Sequence, residues 1–450
     1  MNPFERKQFA PPRSEQDRLE SRQLTGITKG TVKMKKPINC FIGASLIAGL
    51  FSYSEAQATI INAASCSQAD VSSAILSASN GDTVNIPNGS CSWTSGISTS
   101  KEIVIRAQNY TPTDQGTMTR NVTITNNSSS PLFSMTSGNS FHVQISGIRF
   151  NEGSGIGNHL RFQGSGTKPP LLNDCAFEVK QRNGTSYDVA VVTWQSLGGV
   201  EWNSYYNGLA SGASDGIGPN GASRVINSPR GWDTASTMGM ADVGGLFNTY
   251  LEDSTAVNVG QFPDVDHHGR AVVRYNTFDG TIYGQTHGFT SGTLQGRHVE
   301  VYNNTFSVTN PNRNHSGRYY WIRAGTFVFT ENVVNNAIPQ EYGDISQVII
   351  GDTTGLGPYP VPRQPGFGHN GTTNVSDPIY IWNQTGTRAY SFGFYGGWDA
   401  NVVQGRDIFV NKGAKPGYAK FTYPHPLRTS GGGVGGDTLA PAAPLNVRVN

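Results

Sequence analysis

Charge is scarce in this sequence. Only 14% of its 450 residues are Asp, Glu, Lys or Arg, and methionine occurs six times. Long runs rich in Ala, Glu, Lys and Leu are absent, which argues against a helical fold. An excess of one sign is absent too. The formal charge is +2, but residues 1–58 hold nine Lys or Arg and five Asp or Glu, leaving 24 basic and 26 acidic residues in the body. A nearly neutral body offers no electrostatic footprint for nucleic acid. What is abundant is glycine, at 55 positions, together with Asn, Ser and Thr. That mixture favours turns and strands.

The longest apolar stretch lies near the start. From Met34 the chain reads MKKPINCFIGASLIAGLFSYSEAQA. Lys35 and Lys36 give a basic start, Cys40 to Tyr53 is apolar, and Ala56-Gln57-Ala58 is an A-x-A cleavage pattern. This is the pattern of a secretory signal peptide, too short and wrongly flanked for a membrane span. Residues 34–58 are therefore expected to be a leader, preceded by a polar extension over 1–33. A secreted or cell-surface product with no membrane span in the mature chain is expected, and a monomer. In an oxidising compartment, Cys66 and Cys91 are a candidate disulfide. Cys175, in an alternating run, is expected to be a buried small hydrophobe.

After the leader, CSQADVSSAILSASN (66–80) carries apolar residues at helical spacing, and short strand-like runs come next. A short N-terminal helix is expected to cap those strands. One phrase then recurs, as VQISGIRF (143–150), LLNDCAF (171–177), VVRYNTF (272–278), VEVYNNTF (299–306) and FVFTENVV (327–334). Asn276, Asn304 and Asn332 recur at intervals of 28 residues. A fixed period in the twenties with one strand phrase per period predicts an all-β solenoid, a parallel β-helix, over 59–428. Propeller blades need longer periods, and a sandwich would not repeat one phrase at one interval. The Asn residues are expected at sharp corners, in left-handed backbone conformation, stacked into a ladder. Val273, Tyr275 and Thr277 are expected on one face. Residues 204–245 and 351–378 break the rhythm and read as loops leaving the rod, and 429–450 as a Gly-rich linker and tail.

The leader, the capped start and the VRYNTF and VEVYNNTF phrases together resemble the pectate-lyase-like right-handed β-helix superfamily, over roughly residues 60–425. The resemblance implies a right-handed rod. It also implies a polysaccharide lyase or glycoside hydrolase, since members of the superfamily often have those activities; others are tailspikes or adhesins. In QGRHVEVYNNTF a basic residue precedes a strand ending in paired Asn, as in pectate lyases. Their Arg-x-Pro-x-x-Arg element and calcium-binding Asp set have no clear copy here.

The densest polar cluster is FPDVDHHGRAVVRYNTF. It supplies Asp264, Asp266, His267, Arg270 and Arg274, with His287 and Arg297 further along the chain. Stacking brings residues one coil apart to within about 5 Å. Asp266 and Arg297 are 31 residues apart and Arg297 and Arg323 are 26, so these groups are expected to meet on one face. A lyase needs a cation against a uronate carboxylate, a base for the C5 proton and an acid for the leaving oxygen. Arg, or calcium held by Asp, is a candidate for the first role. A hydrolase needs two carboxylates at fixed separation, and Asp264 and Asp266 on a strand would lie about 6–7 Å apart. Trp232, Arg318, Tyr319 and Arg323 are candidate contacts for a sugar. A polysaccharide is the expected partner, cleaved or merely bound by a non-catalytic adhesive rod. Against these stand plainer readings: a solvated turn at Asp266-His267-His268-Gly269, cross-strand charge pairs at Arg270 and Arg274, and aromatics that only fill the interior.

Overall fold

The computed structural model describes residues 58–430 apart from 110–116, 118, 156–157, 180–190, 209–223, 233–244, 258, 260–261, 281–283, 289–295, 309–317, 337–346, 352–358, 362, 387–391 and 396–400. At 179, 224, 308, 318, 319, 321, 336, 347–351 and 392–395 only the backbone is described. The extension 1–33, nearly all of the leader, and the tail from 431 lie outside the described residues.

The described chain is built from parallel strands laid into three long sheets, of 12, 9 and 10 strands. The chain visits the sheets in rotation. Arg270–Arg274 belongs to the first, Thr277–Asp279 to the second and Gly284–Thr286 to the third, and His298–Tyr302 returns to the first beside Arg270–Arg274. This topology is compatible with a parallel β-helix. Among the described residues the one antiparallel pair is Phe367–His369 with Asn374–Ser376.

Apolar side chains at alternate positions fill the interior. Phe150, Phe177 and Tyr206 stack coil on coil, with ring centroids 5.2 and 4.7 Å apart, and Phe278 lies 5.0 Å from Phe306. Each ring covers the one before it, so no coil buries its core alone. The first coil is covered by a helix, Gln68–Ser77, capped by the Ser67 hydroxyl. Val71, Ala74 and Ile75 of this helix join the core. Lys101 Nζ donates to the carbonyls of Ile75, Leu76 and Ala78, which satisfies the helix C-terminus with a positive charge. Cys66 and Cys91 form a disulfide beside it, and buried Cys175 is a free thiol pushed up to about 12 by desolvation.

The corner between the first and second sheets is two residues long and stereotyped. Its first residue has positive φ: Asp174, Asn203, Asp253, Tyr275, Asn303 and Glu331 lie between 47° and 58°. Its second residue is buried and builds the ladder. Asn276 Nδ2 donates to Asn304 Oδ1 at 3.0 Å, and Asn304 Nδ2 donates to Asn332 Oδ1 at 3.0 Å. The backbone N–H of each is taken by the same oxygen of the next coil. The recurring Asn is thus not the left-handed residue, as the sequence suggests, but the one after it. The strand also ends at Arg274, so Tyr275 occupies the corner and does not share the face of Val273, which lies in the core.

The outer faces differ. In the second sheet Val122–Asn126 alternates buried and half-buried positions, as a solvated face requires. In the first sheet Arg270–Arg274, His298–Tyr302 and Thr326–Thr330 are buried throughout. Their cover is the C-terminal segment, residues 411–430, which runs back along the rod. Lys415 pairs with Asp377, Tyr418 donates to Glu300, Phe421 and Thr422 accept from Arg274, and Arg428 reaches Glu252 and Asp253. Trp202, Tyr250 and Tyr302 form an apolar cluster on that face, against which Phe421 and Leu427 pack.

His425 sits inside this contact, its ring 4.6 Å from Tyr250. Burial, then the charges of Arg274, Arg428 and His142, hold its imidazole down at about 3. The unfolded chain binds the proton more readily, so stability falls as pH drops from 6.5, the ordinary value, towards about 3. In His425→Phe the ring packing stays and this dependence goes. Denaturation midpoints of wild type and variant are expected to diverge in the variant's favour as pH falls through that window; parallel curves would contradict this.

Candidate functional site

Asp264–Val265 is a short strand of the third sheet, and Val265 points into the core. Alternation therefore turns Asp264 and Asp266 outward together. The chain then reverses. His267 and His268 have φ of 34° and 65°, and the Gly269 N–H bonds back to the Asp266 carbonyl at 2.6 Å. Gly269 is obligatory, because a Cβ there would lie 2.1 Å from the Ile226 carbonyl oxygen.

The next coil pairs Gln285 with Asp264 and Thr286 with Val265, which sets His287 over Asp266. His287 Nδ1 lies 3.0 Å from Asp264 Oδ1 and 2.5 Å from Asp266 Oδ1. The aspartates are almost wholly buried, while 19% of the His287 side chain is exposed. Burial alone would lower the His287 imidazole, but hydrogen bonds and charge from Asp264 and Asp266 overcome it and lift it to about 9. Burial raises Asp266, and the neighbouring Asp264 charge adds to this, against the pull of His287. The centre is an imidazole held against two carboxyl groups, an arrangement able to keep or pass a proton.

The register corrects the stacking inferred from spacing. Thr286 pairs with Ile322, so Arg323, not Arg297, comes after His287 on this stack. Arg297 stacks instead on Gly269, whose carbonyl accepts from its N–H at 2.9 Å. Both arginines still border the corner between the third and first sheets. Arg270 joins them: its guanidinium donates to the carbonyls of His268 and, at 3.4 Å, Gly231. Arg274 does not. It lies on the first sheet under the C-terminal segment, held by Glu252, Tyr302 and two backbone carbonyls. His267 is exposed at the turn beside Asp266, whose carboxylate its charge favours.

Trp232 is not an exposed platform for a sugar. It is 1% exposed, with the Arg297 and Arg363 guanidiniums 5.2 and 5.7 Å from its ring. The side chains of Arg318 and Tyr319 lie outside the described residues. Sequence reasoning missed Arg363, which sits in the Pro- and Gly-rich stretch where no period gives register. The cross-strand charge pair expected at Arg274 is present, and its partner, which the sequence did not name, is Glu252 of the preceding strand. The 22-residue spacing between them is one coil, a signal overlooked because the coil is shorter than 28.

No protein-family model matches the chain, and no curated protein matches it. Among the described residues no helix is long and apolar enough to cross a membrane.

Proposed function

We propose that this chain is a secreted carbohydrate-active enzyme, a polysaccharide lyase acting on an extended acidic glycan, built as a right-handed parallel β-helix akin to the pectate-lyase-like superfamily. The handedness is supported by the general rule that parallel strands of one sheet are joined by right-handed crossovers. Export is supported by the leader pattern at 34–58 and by the Cys66–Cys91 disulfide, which persists in oxidising compartments.

The observation that carries the activity is the convergence of Asp264, Asp266 and His287 at a corner bordered by Arg270, Arg297 and Arg323. The three ligand atoms lie within 4.8 Å of one another. An imidazole beside two carboxyl groups, at a corner bordered by guanidiniums, suits removal of a proton next to a uronate carboxylate, which favours elimination over hydrolysis. In elimination a base takes the C5 proton, the electron pair forms the C4–C5 double bond, and the C4–O bond breaks with a proton delivered to the leaving oxygen. Positive charge at the corner favours a uronate carboxylate and the anion that develops beside it.

A panel of uronic-acid and neutral polysaccharides tests this, monitored by ultraviolet absorbance of unsaturated ends and by new reducing ends. Both signals are expected on acidic polymers, and Asp266→Asn is expected to lower kcat/KM by about 100- to 1,000-fold. Reducing ends without unsaturation would mean hydrolysis. Binding without release would favour a non-catalytic adhesive rod, for which the outward row Thr255, Thr277 and Thr305 on the second sheet offers a flat polar face.

A further inference from the structure

We propose that Asp264, Asp266 and His287 bind one divalent transition-metal ion of the zinc or cobalt(II) type, in preference to calcium. The inference rests on the reading of this corner as a functional site, and its test does not use glycan cleavage.

The argument begins with a shortage of donors. His287 Nδ1 carries at most one hydrogen, which points along one axis. Asp264 Oδ1 takes it at 3.0 Å. Asp266 Oδ1 lies 2.5 Å from the same nitrogen, so it competes for the same hydrogen, and it is buried with no second donor within reach. Two carboxylate oxygens thus converge on one nitrogen that can satisfy only one of them. Only 10% of the Asp266 side chain is exposed, so water has little access to make up the difference. A cation at the centre of the three atoms satisfies all of them at once.

The ligand set selects the ion. Calcium takes six to eight oxygens at about 2.3–2.6 Å, whereas among the described residues this cluster supplies one nitrogen and two carboxylates. An imidazole with two carboxylates suits zinc, cobalt or manganese. Bonds of about 2.0–2.2 Å in a tetrahedral site set its donors about 3.3–3.5 Å apart, so the present spacing has to open by about 1 Å or less. The frame is fixed: the His287 N–H bonds to the Val265 carbonyl and the Asp266 N–H to the Ile226 carbonyl, both at 2.9 Å. Three protein ligands leave one position for water or a glycan carboxylate, the pattern of catalytic rather than structural zinc sites.

The test uses the full chain, untagged and stripped with chelator, titrated with cobalt(II) and monitored by visible absorption, with zinc and calcium as competitors. One cobalt per chain is expected, displaced by zinc but not by equimolar calcium. Asp266→Asn and His287→Gln are each expected to weaken binding by about 100-fold or more, since even outer-shell losses cost about 10- to 100-fold. Thermal melting of the metal-free variants separates lost binding from lost fold, and either variant suffices if the other fails to fold. Absence of the cobalt spectrum, affinity unchanged in both variants, or equal competition by calcium would overturn the proposal. Cobalt binding without cleavage of any glycan would leave the metal site standing and remove the lyase reading. Full cleavage activity after chelation together with no cobalt binding would do the reverse.

Discussion

Arg274→Met is expected to lower stability by about 3–5 kcal/mol, because it breaks a buried ion pair and strips donors from two buried carbonyls, even though Glu252 keeps Arg428. The guanidinium is fully buried. Its Nε donates to Glu252 Oε1 at 2.7 Å, and its two Nη groups serve the Tyr302 hydroxyl and the carbonyls of Phe421 and Thr422 at 2.7–2.9 Å. It is stacked 4.8 Å from the Tyr250 ring. Methionine fills much of the volume but leaves the Glu252 carboxylate with a poorer set of donors and frees two carbonyls of the C-terminal segment. Urea denaturation of variant and wild type gives the difference. Limited proteolysis is expected to cut within residues 411–430 at lower protease concentrations in the variant. A change under about 1 kcal/mol, the range of exposed pairs, would show that the contact contributes little. The sequence offered Arg274 as a catalytic candidate; the burial and partners describe a strut that holds the C-terminal segment to the first sheet.

Asn304→Ala is expected to cost a similar amount, about 3–5 kcal/mol, because several buried groups lose partners at about 1–3 kcal/mol each. The Asn304 carboxamide accepts from the Asn276 backbone N–H and side chain, and donates to Val273 O, Tyr302 O and Asn332 Oδ1. Asn303, its neighbour in the chain, supplies the contrast. It occupies the left-handed position with φ of 56°, which glycine adopts without strain. Asn303→Gly is therefore expected to change stability by no more than about 0.5 kcal/mol. Equal losses for the two variants would contradict the division of labour at this corner.

The stack of parallel strands was legible because its physics is periodic. A 28-residue recurrence of one strand phrase requires a stack, and the ladder residues Asn276, Asn304 and Asn332 stand where that recurrence puts them. The capping helix was legible from apolar spacing over residues 66–80, and its Ser67 cap emerged only in the structure. The site was legible only in part, because coil length varies. Asp266 to His287 is one coil of 21 residues and His287 to Arg323 is one coil of 36, so a constant period near 28 linked Asp266 to Arg297 instead. The long-range partners of the C-terminal segment were not legible at all. Contacts such as Tyr418 with Glu300 or Arg428 with Glu252 span 118 and 176 residues and obey no repeat. Burial on both faces of the first sheet depends on those contacts, which is why aromatics such as Tyr250 and Tyr302, outward on the rod, are hidden from solvent.

The most direct test of the proposed activity is a crystal structure of the Asp266→Asn variant soaked with an acidic oligosaccharide of the polymer that the chain cleaves. The expected result is a sugar carboxylate at the corner between the third and first sheets, beside His287 and Arg323, with the scissile bond within reach of the Asp264 carboxyl group. An oligosaccharide lying along the outer face of the second sheet, across Thr255, Thr277 and Thr305, with the corner empty, would contradict it.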